Sequence, residues 1–261
     1  MCEKGVKVDD LICIDLKGED KDLKEEIEFA KHTAEEKSKG NRTYDKFKER
    51  TSFERFMNLF PGDLAKNLFR KELNKRFGIN LVDYDKIRED RFEKFDLFDL
   101  KIEIESQEIE IEVKSSIEKS LLNSNKNKLI EYRRIIIYNE RGIKDIIVQV
   151  LFVPKDEKCL KFAKDYGRIN SGEEPISLKD FKELYSINNE SDFIDFFINC
   201  MEACITGFIT KEIAQEIHES MPFQPDGEEK REYLNIFIKD AFPINCFKKK
   251  IKSRLLGNND I

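Results

Sequence analysis

Residues 95–116, FDLFDLKIEIESQEIEIEVKSS, alternate apolar and polar side chains with a period of two. That period suits a strand and not a helix, because successive side chains of an extended chain point to opposite faces. Phe98, Leu100, Ile102 and Ile104 fall on one face of the first run, and Ile109, Ile111 and Val113 on one face of the second. Ser106-Gln107 lies between them, so the segment predicts two half-buried antiparallel strands joined by a tight turn. Pairing Glu105 with Glu108 sets Ile104 against Ile109, Ile102 against Ile111 and Leu100 against Val113, matching apolar faces throughout. The same register sets Asp99 opposite Lys114 and Lys101 opposite Glu112.

Other periods surround this hairpin. Residues 145–153, DIIVQVLFV, form a nearly continuous apolar run ended by Pro154 and predict a central strand buried on both faces. Pro61-Gly62-Asp63 reads as a stop followed by a helix over 63–76, with Leu64, Leu68, Phe69 and Leu73 on one face and Gly78 at its end. Residues 6–16 read as a strand-like arm, 20–38 as a surface helix and 124–140 as a helix. From 156 onward the pattern predicts helices over 157–166, 177–186, 190–205, 210–220 and 228–240. The expected fold is α/β, a small mixed sheet flanked by helices. Its three parts are an N-terminal arm with helices (1–60), a core (61–155) and a C-terminal helical region (156–261).

Composition excludes several classes. A chain of 261 residues can bury a core without covalent staples. Eleven Gly and six Pro exclude a collagen-like chain, and 21 Phe argue against wholesale disorder. The longest apolar stretch, Phe193 to Ile209, is interrupted by Asp195 and Glu202, so no membrane span is expected. The start, MCEKGVKVDD, has no apolar signal core. Six scattered Cys without a CxxC point to a reducing cytoplasm. Cys200 and Cys204 read as one buried helix face rather than half a metal site, since neither His32 nor His218 has ligand spacing to them. The net charge is −6, yet residues 40–76 carry ten Lys/Arg against five acids, and Lys248, Lys249, Lys250, Lys252 and Arg254 make the tail basic. Such patches suit a phosphate-backbone footprint.

The hairpin also carries a chemical grouping. Asp99, Glu112 and Lys114 share a polar face at one end. Two close carboxylates repel, and a hard divalent cation such as Mg²⁺ relieves the repulsion through carboxylate oxygens. An adjacent ammonium can offset charge on a phosphate. Asp99 followed thirteen positions later by Glu112-Val113-Lys114 resembles the PD-(D/E)xK nuclease superfamily, with its restriction-endonuclease-like core. The flanking order of helix, hairpin, helix and buried strand agrees over roughly 61–155. The resemblance implies a Mg²⁺-dependent endonuclease, with Mn²⁺ as substitute, that hydrolyses DNA phosphodiesters. Asp99 and Glu112 would be metal ligands and Asp99, Glu112 and Lys114 the catalytic set. It further implies restriction or other defence, with repair second, a homodimer, and C-terminal helices used for recognition or dimerisation.

The sequence departs from that family's pattern. Phe98, not Pro, precedes Asp99, and the expected helix offers Asn67, with Asp63 and Glu72 nearby, where many members carry a further Glu. A bulge would let Asp96 replace Asp99. Acid-x-Lys also occurs at Asp15/Lys17, Glu19/Lys21, Glu35/Lys37, Asp156/Lys158 and Glu228/Lys230, and the competing reading of 99/112/114 is a solvated charge ladder with Glu103, Glu105 and Glu110. Two rival functions are a non-catalytic nucleic-acid-binding or scaffold protein that keeps a degenerate nuclease fold, and a helical protein-interaction module with an incidental hairpin. Ser115 and Ser116 read as caps of the next helix, Gln149 as a core or site-facing amide, Arg133 and Arg134 as helix-surface cations, and His218 as partly buried.

Overall fold

A computed structural model of the protein describes residues 2–39, 50–90, 92, 98–104, 107–138, 143–169, 174–220, 224–226 and 231–255. In chain order its elements begin with β1 (Ile12–Asp15), α1 (Lys21–Lys39), α2 (Ser52–Phe77), β2 (Val82–Asp83), α3 (Tyr84–Ile87), β3 (Leu100–Ile104), β4 (Gln107–Ile117) and α4 (Lys126–Tyr132). They continue with β5 (Arg134–Tyr138), β6 (Ile146–Pro154), α5 (Glu157–Arg168), α6 (Leu178–Tyr185), α7 (Glu190–Cys200), β7 (Met201–Thr210), α8 (Lys211–Ser220), β8 (Gln224–Asp226), β9 (Arg231–Phe237) and α9 (Phe247–Leu255).

Every residue of β6 is buried, as its unbroken apolar run requires. β6 pairs in parallel with β4 and antiparallel with β7. The main sheet runs β1-β7-β6-β4-β3-β2, and a smaller antiparallel sheet runs β5-β9-β8. The molecule is thus mixed α/β, as expected.

The chain beyond 156 is not the helical region that periodicity predicts. Helix α7 stops at Cys200, and Met201 turns extended (φ −109, ψ 146) to begin β7, an interior strand of the main sheet. Residues 201–209 are buried on both faces apart from Glu202, so they show no strand alternation. Residues 231–237 form β9 instead of part of a helix; Leu234 and Ile236 are buried at period two. The helix expected over 124–140 ends at Tyr132, and Arg134–Tyr138 form β5, where Ile135 and Ile137 point inward. β-branched residues in succession favour strand over helix.

The hairpin register also differs. Leu100 faces Ile111, Lys101 faces Glu110 and Ile102 faces Ile109, so the pairing is offset by two residues from expectation. A two-residue offset keeps every side chain on its face, so the apolar pattern cannot distinguish the two registers. Ion pairs accompany the observed one: Lys101 Nζ meets Glu103 at 2.5 Å and Glu108 at 3.0 Å.

α2 is one helix across the expected start at 63. Thr51 and Glu54 form a capping box, with Glu54 N–H donating to Thr51 Oγ1 (3.2 Å) and Thr51 N–H to Glu54 Oε2 (2.7 Å). Gly78, at φ 64, closes the other end. Pro61 sits inside, where it removes the N–H that would bond the Met57 carbonyl. Tyr166 Oη donates to that carbonyl at 2.8 Å, which lets the helix continue. Phe60 packs edge-on against Phe197, which meets Phe152 of β6, and Phe69 meets Phe247, which meets Phe208 of β7. α2 therefore lies over the sheet as its main cover. Tyr166→Phe should cost about 1 kcal/mol in urea unfolding, by leaving the Met57 carbonyl unpaired. An unchanged midpoint would mean that water already serves it.

Candidate active site

The site is built on a buried cluster of charges. Lys37 at the end of α1 and Lys66 in the middle of α2 each have side chains about one-twentieth exposed (5% and 6%). Lys37 Nζ donates to Asp63 at 2.6 Å and Asp85 at 2.7 Å. Lys66 Nζ donates to Asp83 at 2.8 Å and also to Asp85. Arg88 reaches Asp85 at 3.1 Å, and Arg70 bridges to Glu26 at 2.5 Å. Burial pushes the Asp85 carboxyl up, but Lys66 and Lys37 outweigh it and hold it down at about 2. Asp63 is raised instead, because burial outweighs its lysines. The cluster fixes α1, α2, β2 and α3 to one another.

Asp99 stands against this corner. Asp83 pairs with Leu100, and the Tyr84 N–H points to the Asp99 carbonyl at 3.4 Å. Asp99 occupies a bend just before β3, and its Oδ2 accepts the Val113 N–H at 2.8 Å. Val113 lies between Glu112 and Lys114, so this bond brings Asp99 to the stretch of β4 that carries them. Lys114 Nζ lies 2.5 Å from Glu112 Oε1, with both side chains about a quarter exposed (23% and 26%). Burial raises the Asp99 carboxyl to about 6; the Val113 amide opposes the rise, Glu112 adds to it, and Lys66 and Lys114 oppose it.

The three sequence-selected residues are thus brought together, although by a hydrogen bond from the Val113 amide of β4 to the Asp99 carboxylate and not by the expected pairing with Lys114. The neighbouring acids differ from Asp99. Glu110 is held by Lys144 (2.6 Å), and Glu103 and Glu108 share Lys101. Among the candidates for a further acid, Asp63 is bound to Lys37 and Glu72 to Arg76 at 2.8 Å; Asn67 donates to the Glu26 carbonyl. Asp96 lies outside the described residues. Lys66, whose charge acts on Asp99, was missed by the sequence reading. A lysine on the buried face of a helix rich in Phe and Leu is the signal that could have revealed it.

The expected basic footprint is largely spent internally. Arg55 donates to the Ser38 and Arg50 carbonyls, Lys71 meets Asp20 at 2.9 Å, and Lys66 and Arg70 sit in the cluster. Residues 42, 46 and 48 lie outside the described part. In the tail, Lys248 donates to the Phe77 carbonyl and Lys250 lies over the Phe242 ring, while Lys249 and Lys252 are exposed. Arg133 forks onto buried Glu118 and so has a structural partner; Arg134 lies over the Phe237 ring. Gln149 links Ser116 Oγ (3.2 Å) to the core, β4 runs through Ser115 and Ser116 so neither caps a helix, and His218 is exposed. No helix among the described residues is long and apolar enough to cross a membrane.

A second donor group, Cys13, Glu202 and Cys204, lies at the opposite edge of the sheet. Its thiols do not suit Mg²⁺, which takes oxygen ligands. Compared with family models, curated proteins and solved structures, the chain matches none.

Two outcomes follow from the charges. Asp99 binds its proton more tightly when folded than the usual carboxylate near pH 4. Its contribution to stability is therefore full below about pH 4 and lost as the pH rises through about 6. Asp99→Asn should raise the unfolding midpoint of the metal-free protein at pH 8 more than at pH 4.5; equal shifts would show that Asp99 titrates normally. Lys66→Ala leaves Asp83 and Asp85 buried with less compensation and should cost about 3–5 kcal/mol in denaturant unfolding.

Proposed function

We propose that the protein is a Mg²⁺-dependent endonuclease that hydrolyses DNA phosphodiester bonds, with Asp99, Glu112 and Lys114 as its working group. The observation that carries the reading is the Asp99–Val113 hydrogen bond, which sets one carboxylate beside an acid-x-lysine element on the next strand. The order α2, β3-β4 hairpin, α4, β6, with β2 and α3 inserted before the hairpin and β5 of the smaller sheet before β6, also supports the PD-(D/E)xK resemblance.

The donor set fits the metal. Asp99 and Glu112 offer hard oxygens, and their mutual repulsion contributes to the raised proton affinity of Asp99. A site that binds a proton too tightly for a carboxylate is one that a divalent cation can stabilise. Asp99 and Glu112 would hold Mg²⁺, which when bound neutralises phosphate charge and makes water a better nucleophile. Lys114, released from Glu112 by that exchange, would place its ammonium on a non-bridging oxygen of the scissile phosphate. Lys66 stays in the buried cluster and tempers the negative charge behind Asp99. Duplex cleavage would need two such sites, hence a homodimer; a restriction or other defence role comes before repair.

A charge ladder also makes a Glu112–Lys114 pair, and it is the reading to exclude. Incubated with plasmid DNA, the protein should cleave in Mg²⁺ or Mn²⁺ and not in EDTA. Asp99→Ala, Glu112→Ala and Lys114→Ala should each remove most cleavage while the protein stays folded, and the double variants should be no worse than the singles. Glu103→Ala and Glu110→Ala should be close to silent. Cleavage that survives Glu112→Ala, or a loss with Glu110→Ala as large as with Glu112→Ala, would refute the assignment.

A further inference from the structure

Among the described residues β1 is an edge strand paired with β7 alone, and its register sets Cys13 directly opposite Cys204. Their sulfurs lie 2.7 Å apart, closer than two thiols sit in van der Waals contact. Directly opposed residues of antiparallel strands have Cα atoms about 4.5–5.5 Å apart, inside the roughly 4.4–6.8 Å range of disulfides. Closing the sulfurs to about 2.05 Å therefore needs a side-chain rotation and not a backbone shift. Cys13 is partly exposed and Cys204 buried, so a small solute reaches the first sulfur and not the second.

Charges around the pair distinguish the two thiols. Glu202, one pleat along β7, lies near both, with its carboxylate 3.7 Å from Cys204 Sγ. Lys126 of α4 approaches from the other side, 3.4 Å from Glu202 and in contact with Cys13. The hydrogen bond the two thiols share lowers Cys13, and Lys126 helps against burial and Glu202; the same bond and burial push Cys204 up. Cys13, the more exposed thiol and the one beside Lys126, is the nucleophile and Cys204 its partner.

We propose that Cys13 and Cys204 form a peroxide-reactive dithiol that closes reversibly to a disulfide pinning β1 onto β7. The Cys13 thiolate attacks one oxygen of a hydroperoxide; the O–O bond breaks, the leaving oxygen departs as water or alcohol after taking a proton, and Cys13 becomes a sulfenic acid. Cys204 then attacks the Cys13 sulfur, the S–O bond breaks, and water leaves with the Cys204 proton. Two thiols lose two electrons, the peroxide gains them, and a dithiol reductant reverses the change.

A soft cation is the rival occupant, because Cys13, Cys204 and Glu202 offer donor atoms within 4.8 Å of one another. The geometry favours the disulfide. Two thiolates on one Zn²⁺, each bonded at about 2.3 Å in tetrahedral geometry, must move apart from their present spacing, and Lys126 already opposes a second positive charge.

The full-length protein treated with hydrogen peroxide, then alkylated under denaturing conditions and mapped by peptide mass spectrometry, tests this. The expected result is one linked peptide pair containing Cys13 and Cys204, lost on treatment with a dithiol reductant. Cys13→Ser should abolish the linkage, and Cys204→Ala should leave a sulfenic acid at Cys13 that a carbon nucleophile captures. Should Cys204→Ala fail to fold, the wild-type map still decides. Linkage of Cys159 to Cys200 or of Cys2 to Cys246 in preference, full alkylation of Cys13 after peroxide, or protection of Cys13 by added Zn²⁺ that a chelator reverses while peroxide forms no link, would each overturn the proposal.

Discussion

Two lysines buried against three aspartates hold together the half of the molecule in which the candidate site lies. Lys37 and Lys66 come from α1 and α2, and Asp83 and Asp85 from the short turn that carries β2 and α3. Removing such charges from water is costly, and close pairing in hydrogen-bonded geometry is what compensates. The arrangement is specific because it is charged: a slipped α1 or α2 would strand a carboxylate in the core, whereas a slipped Leu would find another hole. β2 has two residues, and among the described residues β3 is the strand it pairs with. Its position, and through Tyr84 that of the Asp99 bend, depends on the salt bridges more than on ladder hydrogen bonds.

The balance inside this cluster bears on the chemistry outside it. Lys66 is held by Asp83 and Asp85, whose attraction outweighs the effect of burial and keeps the ammonium charged. Burial raises the Asp99 carboxyl and Glu112 adds to the rise, while the Val113 amide and the positive charge of Lys66 limit it. The ladder acid Glu110 instead meets Lys144 at 2.6 Å.

What the sequence makes legible follows from which patterns are local. The hairpin alternation, the buried run of β6 and the amphipathic face of α2 are each set by neighbours in the chain, and each is found in the structure. Residues 201–209 were not legible, because an interior strand buried on both faces has no period to separate it from a buried helix. The spacing of Cys200 and Cys204 then suggested one helix face, whereas a strand sends Cys204 across to Cys13 of β1, 191 residues away in sequence. The register of the hairpin escaped for a different reason: an offset of two is invisible to parity. Asp99, Glu112 and Lys114 still meet because the side chain of Asp99 reaches the backbone of β4 itself.

β7 links these observations. It separates β1 from β6, and a bulge leaves Thr206 between the positions opposite Gln149 and Val150, with Thr206 Oγ1 donating to the Gln149 carbonyl. Beyond the bulge, Gly207 (φ 158) lets the Phe242 carbonyl and Val6 approach to within 3 Å of where a side chain would begin. The N-terminal arm is therefore anchored twice on one strand, by close packing at Gly207 and by the thiol pair at Cys204. The oxygen-rich group around Asp99, on β4 and just before β3, lies across β6 from both anchors. Hard and soft donors are thus kept on opposite sides of β6. A cation that favours carboxylates and an oxidant that favours thiolates would act at separate places, with the fully buried strand β6 between them.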